Sequence, residues 1–86
     1  MAAYWDTFRE KLDRHYHWPS LYIFKFIVPR EKGNEVKDLF PLHLTKEKPS
    51  KNGRYVSITV QMMMPSSHAV VDVYISASRI EGIIAL

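Results

Sequence analysis

The chain contains no cysteine. Disulfides, thiolate metal sites and cysteine nucleophiles are therefore excluded. Glycine is scarce as well. Gly33, Gly53 and Gly82 are scattered, and none belongs to a loop that would cradle a phosphate. No apolar run approaches the roughly 20 residues of a membrane span. The opening Met1-Ala2-Ala3-Tyr4-Trp5-Asp6 has no basic stretch followed by an apolar one, so it does not read as a secretory signal. A cytoplasmic protein without membrane attachment is the expectation. Repeats, linkers and low-complexity stretches are also missing. What is present is apolar: 47% of the 86 residues are hydrophobic and 13% aromatic. That content opposes disorder, and the length suits one small domain over residues 1–86.

Charge is nearly balanced, with 12 Lys+Arg against 9 Asp+Glu and a net charge of +3. The one dense patch is Lys46, Lys48, Lys51 and Arg54, interrupted by Glu47. Such a patch suits phosphates. It equally suits the lysine-rich rim of an exposed strand that resists edge-to-edge pairing, and the rim is the preferred reading.

Tyr4, Phe8, Leu12 and Tyr16 recur every fourth residue beside Trp5, which predicts a helix over residues 4–16. Residues 1–17 then form an N-terminal helical extension. Thr7 and Glu10 have capping-box spacing, so the regular helix is expected to begin at Thr7. Pro19 ends the segment. Leu21 to Val28 reads as a strand in which Lys25 fixes the faces. Leu21, Ile23, Lys25 and Ile27 share the less buried face, while Tyr22, Phe24, Phe26 and Val28 face the core. The lysine-bearing face is too apolar to stand bare.

A short helix is predicted over Glu31 to Phe40, with Val36, Leu39 and Phe40 inward and Pro41 as its stop. Leu42 to Pro49 reads as a second strand. Asn52-Gly53 signals a tight hairpin, both residues tolerating positive φ. Arg54 to Met64 alternates, with Val56, Ile58, Val60, Met62 and Met64 on one side. Ser66 and Ser67 are helix caps for a helix over Ser67 to Ser78 that buries Val70, Val71 and Tyr74. Ile80 to Leu86 is a final strand. The order predicts an α+β, ferredoxin-like β-α-β-β-α-β domain, with a four-stranded antiparallel sheet and two helices on one face. The extra N-terminal helix is expected to cover the far face, in its own chain or a partner's.

Chemistry-bearing patterns are sparse. His15, His17, His43 and His68 lack the spacing and companions of a metal set. The serines have no nucleophile-elbow context, and no paired carboxylates sit at a predicted strand end. No catalytic constellation and no cofactor are expected. In Met62-Met63-Met64 only Met63 faces the sheet's far side. The RNA recognition motif shares this element order and stacks bases on aromatics of its central strands. Gly53-Arg54-Tyr55-Val56 faintly echoes its third-strand signature. Yet Tyr55 is the only aromatic there, and Ile23 and Ile27 stand where aromatics are needed. An RNA-binding module is the alternative, with nucleic acid not the expected partner.

Several segments together resemble a known family. They are Trp18-Pro19, Tyr22-Ile23-Phe24-Lys25-Phe26-Ile27-Val28-Pro29, Ser50-Lys51-Asn52-Gly53-Arg54-Tyr55-Val56-Ser57-Ile58-Thr59 and Ile80-Glu81-Gly82-Ile83-Ile84-Ala85-Leu86. In order, over residues 18–86, they resemble the YbeD-like family of small uncharacterised bacterial proteins, closest to its Bacteroidetes-type members. The resemblance implies a ferredoxin-like fold close to the ACT regulatory domain, and it supplies no functional residues. The helix over Glu31 to Phe40, with Gly33-Asn34, is shorter than in that family. ACT domains bind amino acids at the loop after the first strand, which corresponds to Pro29-Arg30-Glu31-Lys32-Gly33. The expectation is a small non-catalytic regulatory or adaptor domain for an unknown small-molecule or protein partner, able to form a weak homodimer. Its candidate surface comprises Ile23, Lys25, Ile27, Tyr55 and Met63 on the sheet, with Arg30 and Lys32 in the loop.

Overall fold

The structure, a computed structural model, describes residues 2–86. Its elements are α1 (Ala2–His15), β1 (Ser20–Pro29), a 3-10 turn (Arg30–Lys32), α2 (Gly33–Asp38), β2 (Thr45–Pro49), β3 (Tyr55–Met64), α3 (Ser67–Ala77) and β4 (Ile84–Ala85). One four-stranded sheet has the order β2-β3-β1-β4, with every neighbouring pair antiparallel. This is the ferredoxin-like arrangement expected from the sequence.

The long central strands pair from Ser20↔Met64 to Pro29↔Tyr55 without interruption. Paired residues share a face and successive residues alternate. The inner face therefore collects Tyr22, Phe24, Phe26, Val28, Val56, Ile58, Val60 and Met64, all buried. α2 adds Val36, with Phe40 just beyond it, and α3 adds Val70, Val71 and Ala77. α3 starts where expected because the Ser66 hydroxyl accepts a hydrogen bond from the Ala69 backbone N–H at 3.1 Å.

α1 does not cover the far face of the sheet. It joins the helical layer beside α3. Leu12 is 6% exposed within the core, Phe8 meets the Tyr74 ring at 5.7 Å, and Tyr16 meets Tyr22 at 5.4 Å. α2 and α3 have only six and eleven residues. α1 completes their layer, and its apolar stripe is used on the inner side. It also begins at Ala2 rather than Thr7, so the Thr7–Glu10 spacing lies inside the helix and does not mark its start.

Other boundaries move for local reasons. β2 begins only at Thr45, leaving Leu42 and Leu44 91% and 96% exposed outside the sheet. The chain there turns, with the His43 N–H donating to the Phe40 carbonyl. The β2–β3 connection is a four-residue loop closed by the Ser50 N–H on the Tyr55 carbonyl at 2.9 Å. Within it only Gly53 takes positive φ, 73°. The hairpin turn thus falls at Ser50–Gly53 as expected, with Asn52 accepting the Arg54 N–H on its side-chain oxygen at 3.1 Å rather than taking positive φ itself. The final strand shrinks to Ile84–Ala85 because Ile80 is buried in a turn continued by Gly82 at φ 79°. Among the described residues, no helix is long and apolar enough to cross a membrane.

Candidate functional site

With all three helices on the inner side, the outer face of the sheet carries no covering element among the described residues. Its side chains follow from the strand register. Leu21 pairs with Met63 and Ile23 with Gln61. Lys25 and Lys46 flank Thr59 in one row across three strands. The next row runs Lys48, Ser57, Ile27, Ile84. Strands lie about 4.8 Å apart, so Lys25 and Lys46 stand roughly 10 Å from each other. The result is three lysines, two of them along the edge strand β2, beside the aliphatic side chains of Leu21, Ile23, Ile27, Met63 and Ile84.

Exposure confirms that this face is open. Ile23 is 57% and Met63 58% exposed, and Leu21, Tyr55 and Ile84 are exposed too. Ile27 is half-buried. The five sheet residues proposed from sequence therefore share one surface. Tyr55 and Met63 occupy opposite ends of β3, about 27 Å apart at the usual strand rise. The sequence reading missed Lys46, Lys48 and Ile84. The two lysines lie on the edge strand β2, as the rim reading expects, and the register also places both on the same face as Lys25. Glu47, the residue between them, points inward and forms an ion pair with Lys37. The three lysines thus have no carboxylate among them.

Arg30 and Lys32 are not part of this face. Arg30 opens the 3-10 turn, and its backbone N–H donates to the Arg54 carbonyl at 2.9 Å. It lines an open polar groove with Glu31, Asn52, Arg54 and Tyr55. Lys32 is tied to Glu35 at 3.2 Å. That hydrogen bond, with the Glu35 charge, holds the Lys32 ammonium above its usual range. The loop therefore supplies one guanidinium to an open groove and leaves Lys32 committed to its own helix. Tyr55 and its strand partner Pro29 belong to both this groove and the outer face.

The histidines do not converge. His68 lies 3.6 Å from Asp72 and 3.5 Å from Arg9. Among the described residues, no group of three His, Asp or Glu side chains is placed to hold a metal ion.

A family model described as "Protein of unknown function (DUF493)" matches residues 13–86. The YbeD-like proteins are members of it, so the resemblance seen in the sequence holds at the family level. No curated protein and no solved structure matches the chain.

Proposed function

The chain belongs to the DUF493 family of proteins of unknown function, and from that premise we propose that it is a non-catalytic adaptor domain that binds a protein partner on the outer face of its sheet. The observation that carries this reading is the set of Lys25, Lys46 and Lys48 standing beside exposed aliphatic side chains on one uncovered face of the sheet. Aliphatic side chains supply burial, at about 25 cal/mol per Å² removed from water. The lysines select the sign of the partner's charge. The complementary occupant is an acidic, apolar protein segment with carboxylates between hydrophobic residues.

Two other occupants fit less well. A second copy docked face to face would bring two sets of lysines together with no carboxylate between them. RNA would satisfy the lysines, but single-stranded RNA is held by stacking on aromatic platforms. Here the bordering side chains are Leu21, Ile23, Ile27, Met63 and Ile84, with Tyr55 alone at one end.

The test is a photo-crosslinking residue in place of the exposed Gln61, used in the cells that make the protein. The expected adduct is a protein segment rich in Asp or Glu interleaved with apolar residues. Lys25→Glu combined with Lys46→Glu should abolish it while leaving the melting temperature nearly unchanged. Adducts to RNA or to a second copy of the chain would overturn the proposal. So would an adduct that survives the double charge reversal.

A further inference from the structure

On the opposite side of the sheet, α1, α3 and β4 leave a cleft of about 410 Å³. That is within the usual range for small-molecule sites. Its walls include Trp5 and Phe8 from α1, Tyr74 from α3, Tyr22 and Phe26 from β1, and Ala85 from β4. No lining side chain is charged. An ionic ligand entering such a cleft would lose hydration without compensation.

The aromatic walls are set edge to face. Trp5 and Phe8 meet at 65° and Phe8 and Tyr74 at 69°. Rings so arranged present both faces and edges to a flat guest. The polar feature is a tyrosine pair: the hydroxyls of Tyr22 and Tyr74 lie 3.0 Å apart. Neither has another hydrogen-bond partner among the described residues. The pair uses one hydroxyl proton internally and leaves the second to donate. Burial raises both hydroxyls above the ordinary tyrosine range, and at Tyr74 the Tyr22 hydrogen bond raises it further.

We propose that this cleft binds a small, neutral, flat and mainly apolar ring compound bearing one hydrogen-bond acceptor, which takes the spare tyrosine proton. Three features support the assignment together: a half-open cleft of suitable size, a largely aromatic lining of uncharged side chains, and one unspent donor. The inference is separate from the outer-face reading, because the two surfaces lie on opposite sides of the sheet. Trp5 and Phe8 precede residue 13, where the family match begins.

The probe is acetylnaphthalene, a neutral ring with one carbonyl acceptor, titrated into the full chain and followed by amide and aromatic NMR shifts. Naphthalene, without an acceptor, and naphthoate, an anion, are the controls. Saturable binding tighter than about 1 mM is expected, with shifts concentrated at Trp5, Phe8, Tyr74 and Ala85. Naphthalene should bind about three- to tenfold more weakly, the worth of one hydrogen bond, and naphthoate should not bind. Tyr22→Phe together with Tyr74→Phe should erase the difference between acetylnaphthalene and naphthalene. Ala85→Trp, at an exposed position, should fill the cleft and abolish binding with the amide spectrum otherwise intact. The proposal is overturned by no saturable shift, by naphthoate binding equally well, or by shifts centred on Ile23 and Met63. Binding that survives Ala85→Trp also overturns it.

Discussion

Leu12→Ala tests directly whether α1 is part of the core. Leu12 is 6% exposed and belongs to the same cluster as Tyr22, Phe24 and Val70. Truncating a buried leucine typically costs about 2–5 kcal/mol. α1 packs chiefly on α3, at the margin of the layer, where neighbours collapse more easily than at the centre of the sheet. The lower part of the range, about 2–3 kcal/mol, is therefore expected. The entropy of unfolding is about 2.1 cal/mol/K per residue, which for 86 residues gives about 0.18 kcal/mol/K. The melting temperature should then fall by about 11–17 °C. The control is Ile23→Thr on the outer face, where a 57% exposed side chain touches no helix. Its effect should stay within about 0.5 kcal/mol. Scanning calorimetry on both variants gives the comparison. A Leu12→Ala loss below about 1 kcal/mol would refute the packing of α1. An equal loss from Ile23→Thr would show that the outer face is covered in solution.

The paired tyrosines add a pH dependence. The pKa of Tyr22 is raised, mainly by burial, and that of Tyr74 is raised by burial and then by the Tyr22 hydrogen bond. The native state holds these protons more tightly than the unfolded chain, so their contribution is complete below about pH 10, the ordinary tyrosine value. It is lost progressively as pH rises above that value. Urea unfolding between neutral and alkaline pH should show falling stability, and Tyr22→Phe with Tyr74→Phe should flatten that slope. An unchanged slope would refute the assignment. Gly82→Ala places a side chain at φ 79°, with its Cβ 2.9 Å from the Pro29 ring. The left-handed backbone alone costs about 1–2 kcal/mol, so a lower melting temperature and faster exchange of the Leu86 amide bonded to the Lys25 carbonyl are expected. Identical values would show that the turn relaxes freely.

The two central strands were legible because alternation is a local property. Lys25 alone assigned the faces of β1, and Val56, Ile58 and Val60 assigned those of β3. The position of α1 was not legible. A stripe at Tyr4, Phe8, Leu12 and Tyr16 shows that one side of the helix is buried but not what buries it. That depended on Tyr74 and Tyr22, which are distant in sequence. Leu42 and Leu44 imitated strand residues, yet backbone bonds from the Phe40 turn keep them outside the sheet. The outer face was half legible: Ile23, Lys25, Ile27, Tyr55 and Met63 follow from alternation. Lys46 and Lys48 needed the β2–β3 register, which is set by the closure of the loop that Asn52 and Gly53 help to build. The aromatic cleft was hidden because its walls come from both ends of the chain.

Docking α1 on α3 also fixes an order of folding. α1 precedes the helix it packs on in the chain, and α3 follows only after the β2–β3 hairpin. An isolated fourteen-residue helix is marginal in water. Until α3 forms, Trp5, Phe8 and Leu12 remain on a fluctuating segment kept apart from other surfaces by Asp6, Arg9, Glu10 and Asp13. The β1–β3 pairing likewise joins distant segments, a topology that moves folding towards milliseconds rather than microseconds. α1 has α3 as its main partner element, so its detachment breaks fewer contacts than that of the central strands. Undocking of α1 would take Trp5 and Phe8 away from the cleft they help to line while the sheet stays intact.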